Sequence, residues 1–297
     1  MLQDEKTCEA PPTTSSTPAE VPEKQAALFR EVLYLLEDRH VPLAVSGAFA
    51  LRHHTGICRY TKDLDLFMTA SCVPPSLAIL TEHGFRCEVR DPVWLAKAYK
   101  DEFFVDLITG MSNGVMAVEN SWLERAVPAV VYGVKTRVLA PEELVASRLF
   151  IARRERFDGA DIAHIIFGTY KAFDWQRCLQ LAAENWEMLL WSLVLFRYVY
   201  PAYGDYVPKA VWNDLLSRFT DALERDEPNA PFRGSLVDEN MFAIDVNEWA
   251  MDDLLATSRT RRLAEIANQI AKTNGCGNGQ PAKRVDPDLN ETSLVNL

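Results

Sequence analysis

Apolar residues first recur at helical spacing over residues 23–39. Leu28, Val32 and Leu35, with Phe29, Leu33 and Leu36, fall three and four residues apart and make one face. His40, Val41 and Pro42 end that helix, and the pattern becomes extended. Residues 43–45 read as a strand that stops at Ser46 and Gly47, residues 48–54 as a short helix, and residues 63–68 as a second strand. Pro74 and Pro75 open a helix that runs to about His83, where Gly84 stops it. Residues 85–89 and 103–108 read as strands, with residues 94–99 between them irregular or a short helix. Residues 128–131 and 134–139, joined by Tyr132 and Gly133, read as a hairpin.

From Pro141 the spacing turns helical and stays so. Pro141 suits a first helical position, with Glu142 and Glu143 in the first turn, and the stripe carries that helix to about Glu155. Asp158 is the expected N-cap of a helix to about Gly168. Further helices are expected at 175–184, 186–198, 209–225 and 246–272, with Trp186, Trp191, Phe196, Tyr198 and Tyr200 in their core. The expected fold class is α+β, a mixed-sheet domain over 23–140 followed by an all-helical domain over 141–272. Residues 1–22 and 273–297 have little to bury and read as disordered tails.

Strand alternation puts Asp63 and Asp65 on one face and Leu64 and Leu66 on the other. Two such carboxylates repel unless a cation lies between them, and a hard divalent ion such as Mg²⁺ suits that setting. Asp106 stands alone in an apolar strand, which is costly without a cation or a partner. Arg148 lies on the stripe of Leu144, Val145, Leu149 and Ala152. It either snorkels to solvent or points at an anion in the site. Ahead of the acids, Arg59 is a candidate phosphate contact, and Lys62 reads as surface.

Ser46-Gly47-Ala48, then Arg59-Tyr60-Thr61-Lys62-Asp63-Leu64-Asp65-Leu66, then Asp106 resemble the nucleotidyltransferase superfamily with the polymerase-beta-like fold. The eight-residue string resembles the R-x-T-K-D-L-D-L of uncharacterised bacterial nucleotidyltransferases related to the AbiEii toxin group. One departure is Ala48, where that family has Gly or Ser; the backbone N–H stays and a hydroxyl contact is lost. The resemblance implies that Asp63, Asp65 and Asp106 are the catalytic, metal-holding acids. It implies that Ser46, Gly47 and Ala48 cradle phosphates through backbone N–H groups. Residues 148–161, with Arg153, Arg154, Asp158 and Asp161, resemble the toxins' helical motif, so Arg148 and Asp161 would border the nucleotide with Arg59. Arg148 stands where that motif has Lys.

The implied reaction moves a nucleoside monophosphate from an NTP to a hydroxyl on a protein, an RNA 3′ end or a small molecule, in a toxin-like role. Mg²⁺ is the implied cofactor, with Mn²⁺ able to replace it. An inactive nucleotide-binding or regulatory module of the same fold is the alternative, and a structural interaction protein a third.

Charge narrows the partners. A net charge of −11 argues against broad nucleic-acid binding. Six cysteines without C-x-x-C spacing fit reduced thiols and a cytoplasmic location. No apolar run approaches the roughly 20 residues of a membrane span. Residues 232–249 have no role assigned by the pattern.

Overall fold

The computed structural model describes residues 22–276. Helix α1 (Glu23–Asp38) buries Phe29, Val32, Leu33 and Leu36 against the sheet, as its spacing predicts. The sheet is built from β1 (Ala44–Val45), β2 (Asp63–Phe67), β3 (Arg86–Asp91), β4 (Leu95–Lys100), β5 (Phe103–Ile108), β6 (Val127–Val131) and β7 (Val134–Val138). Helix α2 (Gly47–Thr55) links β1 to β2, α3 (Val73–Glu82) links β2 to β3, and α4 (Asn120–Arg125) precedes the β6–β7 hairpin. The strand order is β3-β4-β5-β2-β1-β7-β6. β1 pairs antiparallel with β2, while β2 pairs parallel with β5, so the sheet is mixed. This is the α+β class that the hydrophobic pattern predicts.

Residues 94–99, expected to be irregular or helical, are corrected by the structure: β4 lies between β3 and β5 and bonds to both. Its sequence, LAKAYK, is poor in β-branched residues, so the hydrogen bonds of its two neighbours hold it extended.

Helices follow the sheet: α5 (Pro141–Ala146), α6 (Gly159–Thr169), α7 (Trp175–Ala182), α8 (Trp186–Val199), α9 (Lys209–Glu224), α10 (Gly234–Val237), α11 (Ala243–Asn247) and α12 (Leu254–Cys276). Two depart from the expected bounds. α5 stops at Ala146 and not near Glu155. Its next carbonyl in line, Leu144 O, accepts from Ser147 Oγ at 2.8 Å and from Arg148 Nη1 at 3.1 Å, while the Arg148 amide turns to Val145 O. Side chains have taken the acceptor that a continuing helix needs. The last long helix starts at Leu254 and not Val246, where Asp253 Oδ1 accepts from the amides of Leu255 and Ala256. It runs through residues 273–276, which were expected to open a tail. The remaining tail residues, 1–21 and 277–297, lie outside the described residues.

Glu142 and Glu143 do more than face a helix dipole. Both are buried. Glu143 meets Arg177 at 2.8 Å and Glu142 accepts from the Asp174 amide at 2.6 Å, which ties α5 to α7. One apolar core runs from α1 through the sheet to Phe196 and Leu215. Among the described residues, no helix is long and apolar enough to cross a membrane.

Candidate active site

β2 and β5 run parallel in a register that sets Asp65 beside Asp106 and Asp63 beside Phe104. Alternation then turns Asp63, Asp65 and Asp106 to one face. Their ligand atoms all lie within 4.8 Å of one another. The chain enters this face from β1. The Ser46 amide donates to Asp65 O at 2.9 Å, and Gly47 follows with a φ of +57°. A Cβ at Gly47 would collide with the Asp65 carboxylate, so the turn passes directly beneath the acid. Gly47 and Ala48 form the first turn of α2, whose free N–H groups suit phosphate oxygens.

The acids are aimed by their neighbours. Thr61 Oγ1 donates to Asp63 Oδ1 at 2.7 Å, and buried Gln25 on α1 donates to Thr61 O at 3.1 Å. Lys97 on β4 stands opposite Asp106, with Nζ 2.7 Å from Asp106 Oδ1 and 4.1 Å from the centre of the Phe104 ring.

Arg148 is buried, and it reaches into the site where solvent snorkelling was the open alternative. Its Nε lies 3.4 Å from Asp161 Oδ2 and 3.9 Å from Asp158 Oδ2. Arg59, exposed, pairs with the other Asp161 oxygen, Oδ1. Asp158 makes no cap hydrogen bond; its oxygens take Arg156 at 2.9 and 2.8 Å. Ser46, Gly47, Ala48, Arg59, Arg148 and Asp161 line one cavity of about 480 Å³ together with the three acids. Lys62 is exposed and lies outside that lining.

Burial pushes the Asp65 carboxyl up to about 7, and the charges of Asp63 and Asp106 push the same way against Arg148 and Arg156. Burial also raises Asp106, opposed by Lys97. For Arg148, burial lowers the guanidinium, countered by Asp161 and Asp158. Three converging carboxylates, one of them reluctant to ionise, make a hard-oxygen donor set that fits a divalent cation.

The sequence reading missed Lys97, Arg156 and the Gln25–Thr61 support. Lys97 was within reach: Lys97 and Asp106 are equidistant from the Asp101-Glu102 turn, so recognising β4 as a strand places them opposite each other. Arg156 and Gln25 carry no local signal, because chain segments remote from the acids bring them in.

No curated protein matches the chain. The antibiotic-resistance factor ANT(2″)-Ia is 19% identical, over 62% of this chain and 96% of that one, with a TM-score of 0.40. A nucleotidyltransferase-like protein from Paracoccidioides brasiliensis is 16% identical, over 62% of this chain and 92% of that one, with a TM-score of 0.42. A putative nucleotidyltransferase from H. pylori is 13% identical, over 84% and 96%, with a TM-score of 0.35. Residues 25–166 match the family described as "Nucleotidyl transferase of unknown function (DUF2204)". The segment that holds all seven strands and every candidate site residue is thus the segment that matches a nucleotidyl transferase family.

Proposed function

We propose that the protein is a Mg²⁺-dependent nucleotidyltransferase, moving a nucleoside monophosphate from an NTP to an acceptor hydroxyl. The observation that carries this reading is the convergence of Asp63, Asp65 and Asp106 beside the Gly47 turn. These three carboxylates would hold Mg²⁺, or Mn²⁺ in its place. When bound, the ion supplies positive charge beside the α-phosphate and the leaving pyrophosphate.

The chain's own groups do the rest. Backbone N–H groups at Ser46, Gly47 and Ala48 would hold the β- and γ-phosphates, and Gly47 permits their close approach. Arg148 and Arg59, both paired with Asp161, would turn to phosphate oxygens. Lys97 engages one oxygen of Asp106; the other would face the ion and would take the proton of the attacking hydroxyl as it bonds to phosphorus. In this reading residues 23–140 are the catalytic unit, and residues 141–272 supply Arg148 and Asp161. The string from Arg59 to Leu66 supports kinship with the AbiEii toxin group. Free thiols at Cys58, Cys72, Cys87 and Cys178 support a reducing, cytoplasmic setting.

Calorimetric titration with the four non-hydrolysable nucleoside triphosphates tests the proposal. Binding of at least one is expected with Mg²⁺ present, lost on chelation and lost in Asp65→Asn. Absence of binding by the unaltered protein, or full binding by D65N, overturns it.

A further inference from the structure

The two flanks of the acid cluster differ. The Gly47 turn lies on the β1 side of β2, whereas β5 and β4 lie on the other side. A triphosphate seated at Gly47 therefore leaves the β5–β4 flank for the attacking hydroxyl. On that flank the face of the acids continues as Phe67, two residues beyond Asp65, and Ile108, two beyond Asp106.

Trp94 lines the same cavity, half-buried. Its ring is fixed from behind: Nε1 donates to Asp91 Oδ2 at 3.1 Å, and Arg259 Nη2 on α12 donates to both Asp91 oxygens at 3.0 Å. Arg259 also donates through Nη1 to Ser112 O, and buried Arg262 donates to Thr109 O at 3.1 Å. Gly114, with a φ of +71°, lets the loop after β5 lie against the backbone of Ser258 and Arg259. At the far end Asn113 Nδ2 donates to Leu236 O at 3.0 Å. Both residues line the cavity, so this hydrogen bond joins the loop to α10 as a wall.

Resting on the nucleotidyltransferase reading, we propose that this flank is the acceptor subsite. Its occupant is a compact small molecule that carries a hydroxyl on an apolar, ring-bearing body stacked on Trp94. Phe67, Ile108 and Leu236 supply the apolar surface. The cations on this flank are engaged within the protein: Lys97 pairs with Asp106 at 2.7 Å, and Arg153 Nη2 donates to Ser112 Oγ at 3.0 Å and lies 3.9 Å from Glu239. An RNA 3′ end needs a track of cations for its phosphates. The Asn113–Leu236 hydrogen bond stands across the approach that a side chain on a folded protein would take. Trp94, Phe67 and Ile108 lie within the matched residues 25–166, while Leu236 on α10 and Arg259 on α12 add to the subsite from beyond them.

In the reaction the acceptor oxygen bonds to the α-phosphorus, and the bond from that phosphorus to the oxygen bridging to the β-phosphate breaks. Pyrophosphate leaves with the electron pair, and the hydroxyl proton passes to Asp106.

The test incubates the protein with Mg²⁺, α-labelled NTPs and a cell extract, then separates small-molecule, RNA and protein fractions. Label is expected in the small-molecule fraction, in a product that partitions into organic solvent more than the free nucleotide does. Trp94→Ala and Leu236→Asp are each expected to lower that transfer about tenfold or more, with affinity for a non-hydrolysable triphosphate unchanged. Label in RNA or protein, no label in any fraction, or transfer by either variant undiminished from that of the unaltered protein overturns the subsite while nucleotide binding keeps the parent reading. Failure of the unaltered protein to bind any triphosphate overturns both.

Discussion

Asp65 carries a conflict that metal would resolve. Its folded-state pKa of about 7 lies above the ordinary 3.8, so the folded protein binds the extra proton. Stability contributed by this group is full below about pH 3.8 and is lost as pH rises through about 7. Asp65→Asn cannot ionise. Chemical denaturation in a chelator at pH 8 should find it more stable than the parent by on the order of 2–4 kcal/mol. Mg²⁺ should stabilise the parent and leave D65N unmoved. Lys97 bears on the same site with the opposite sign. Lys97→Met leaves Asp106 buried without its ion pair and should cost about 1–3 kcal/mol in chelator, with part of the loss restored by Mg²⁺. Equal unfolding midpoints for K97M and the parent in chelator would remove Lys97 from the site.

At the scale of elements, the β1–α2 turn and β2 are one device. Gly47→Ala strains a positive φ and strikes the Asp65 carboxylate, and should cost about 1–3 kcal/mol. In an Asp65→Ala background the cost of Gly47→Ala should be smaller by about 1 kcal/mol or more, because the struck atom is gone; the same cost in both backgrounds would separate the turn from the acid. Arg148 tests the α5–α6 junction. Arg148→Ala should weaken triphosphate binding by about 1.5–3 kcal/mol, and Arg148→Lys should recover part of it, in calorimetric titration.

These elements also mark where the sequence was legible. Asp63, Asp65 and Asp106 were legible because strand alternation is local and their flanks are apolar. β4 was not, since Ala and Lys carry no strand signal and its neighbours in the sheet hold it extended. The end of α5 was hidden for a related reason. Its apolar stripe runs on past Ala146, while the Ser147 hydroxyl and the Arg148 guanidinium occupy Leu144 O where the helix would have continued.

Over the whole molecule, residues 232–249, which had no role assigned, are bound to the loops that line the acid-bearing cavity: Leu236 O and Asp238 meet Asn113 and the Arg154 amide. From the helix that follows, Arg259 meets Asp91. Such pairings span up to 168 residues of chain, a separation at which no local pattern speaks. The helical core was read too broadly. Phe196 is fully buried, but Trp191 and Tyr198 stand 48% and 84% exposed, because an apolar run on α8 exceeds the face that packs. What unites the scales is one claim, that sheet register gathers three carboxylates to hold a cation beside a triphosphate. Crystals grown with Mn²⁺ and a non-hydrolysable triphosphate test it through anomalous scattering. A peak is expected about 2.1 Å from oxygens of Asp63 and Asp65, with Asp106 beside it and phosphate oxygens on its Gly47 side. Bound triphosphate with the Mn²⁺ peak away from these carboxylates, or with no peak, would contradict it.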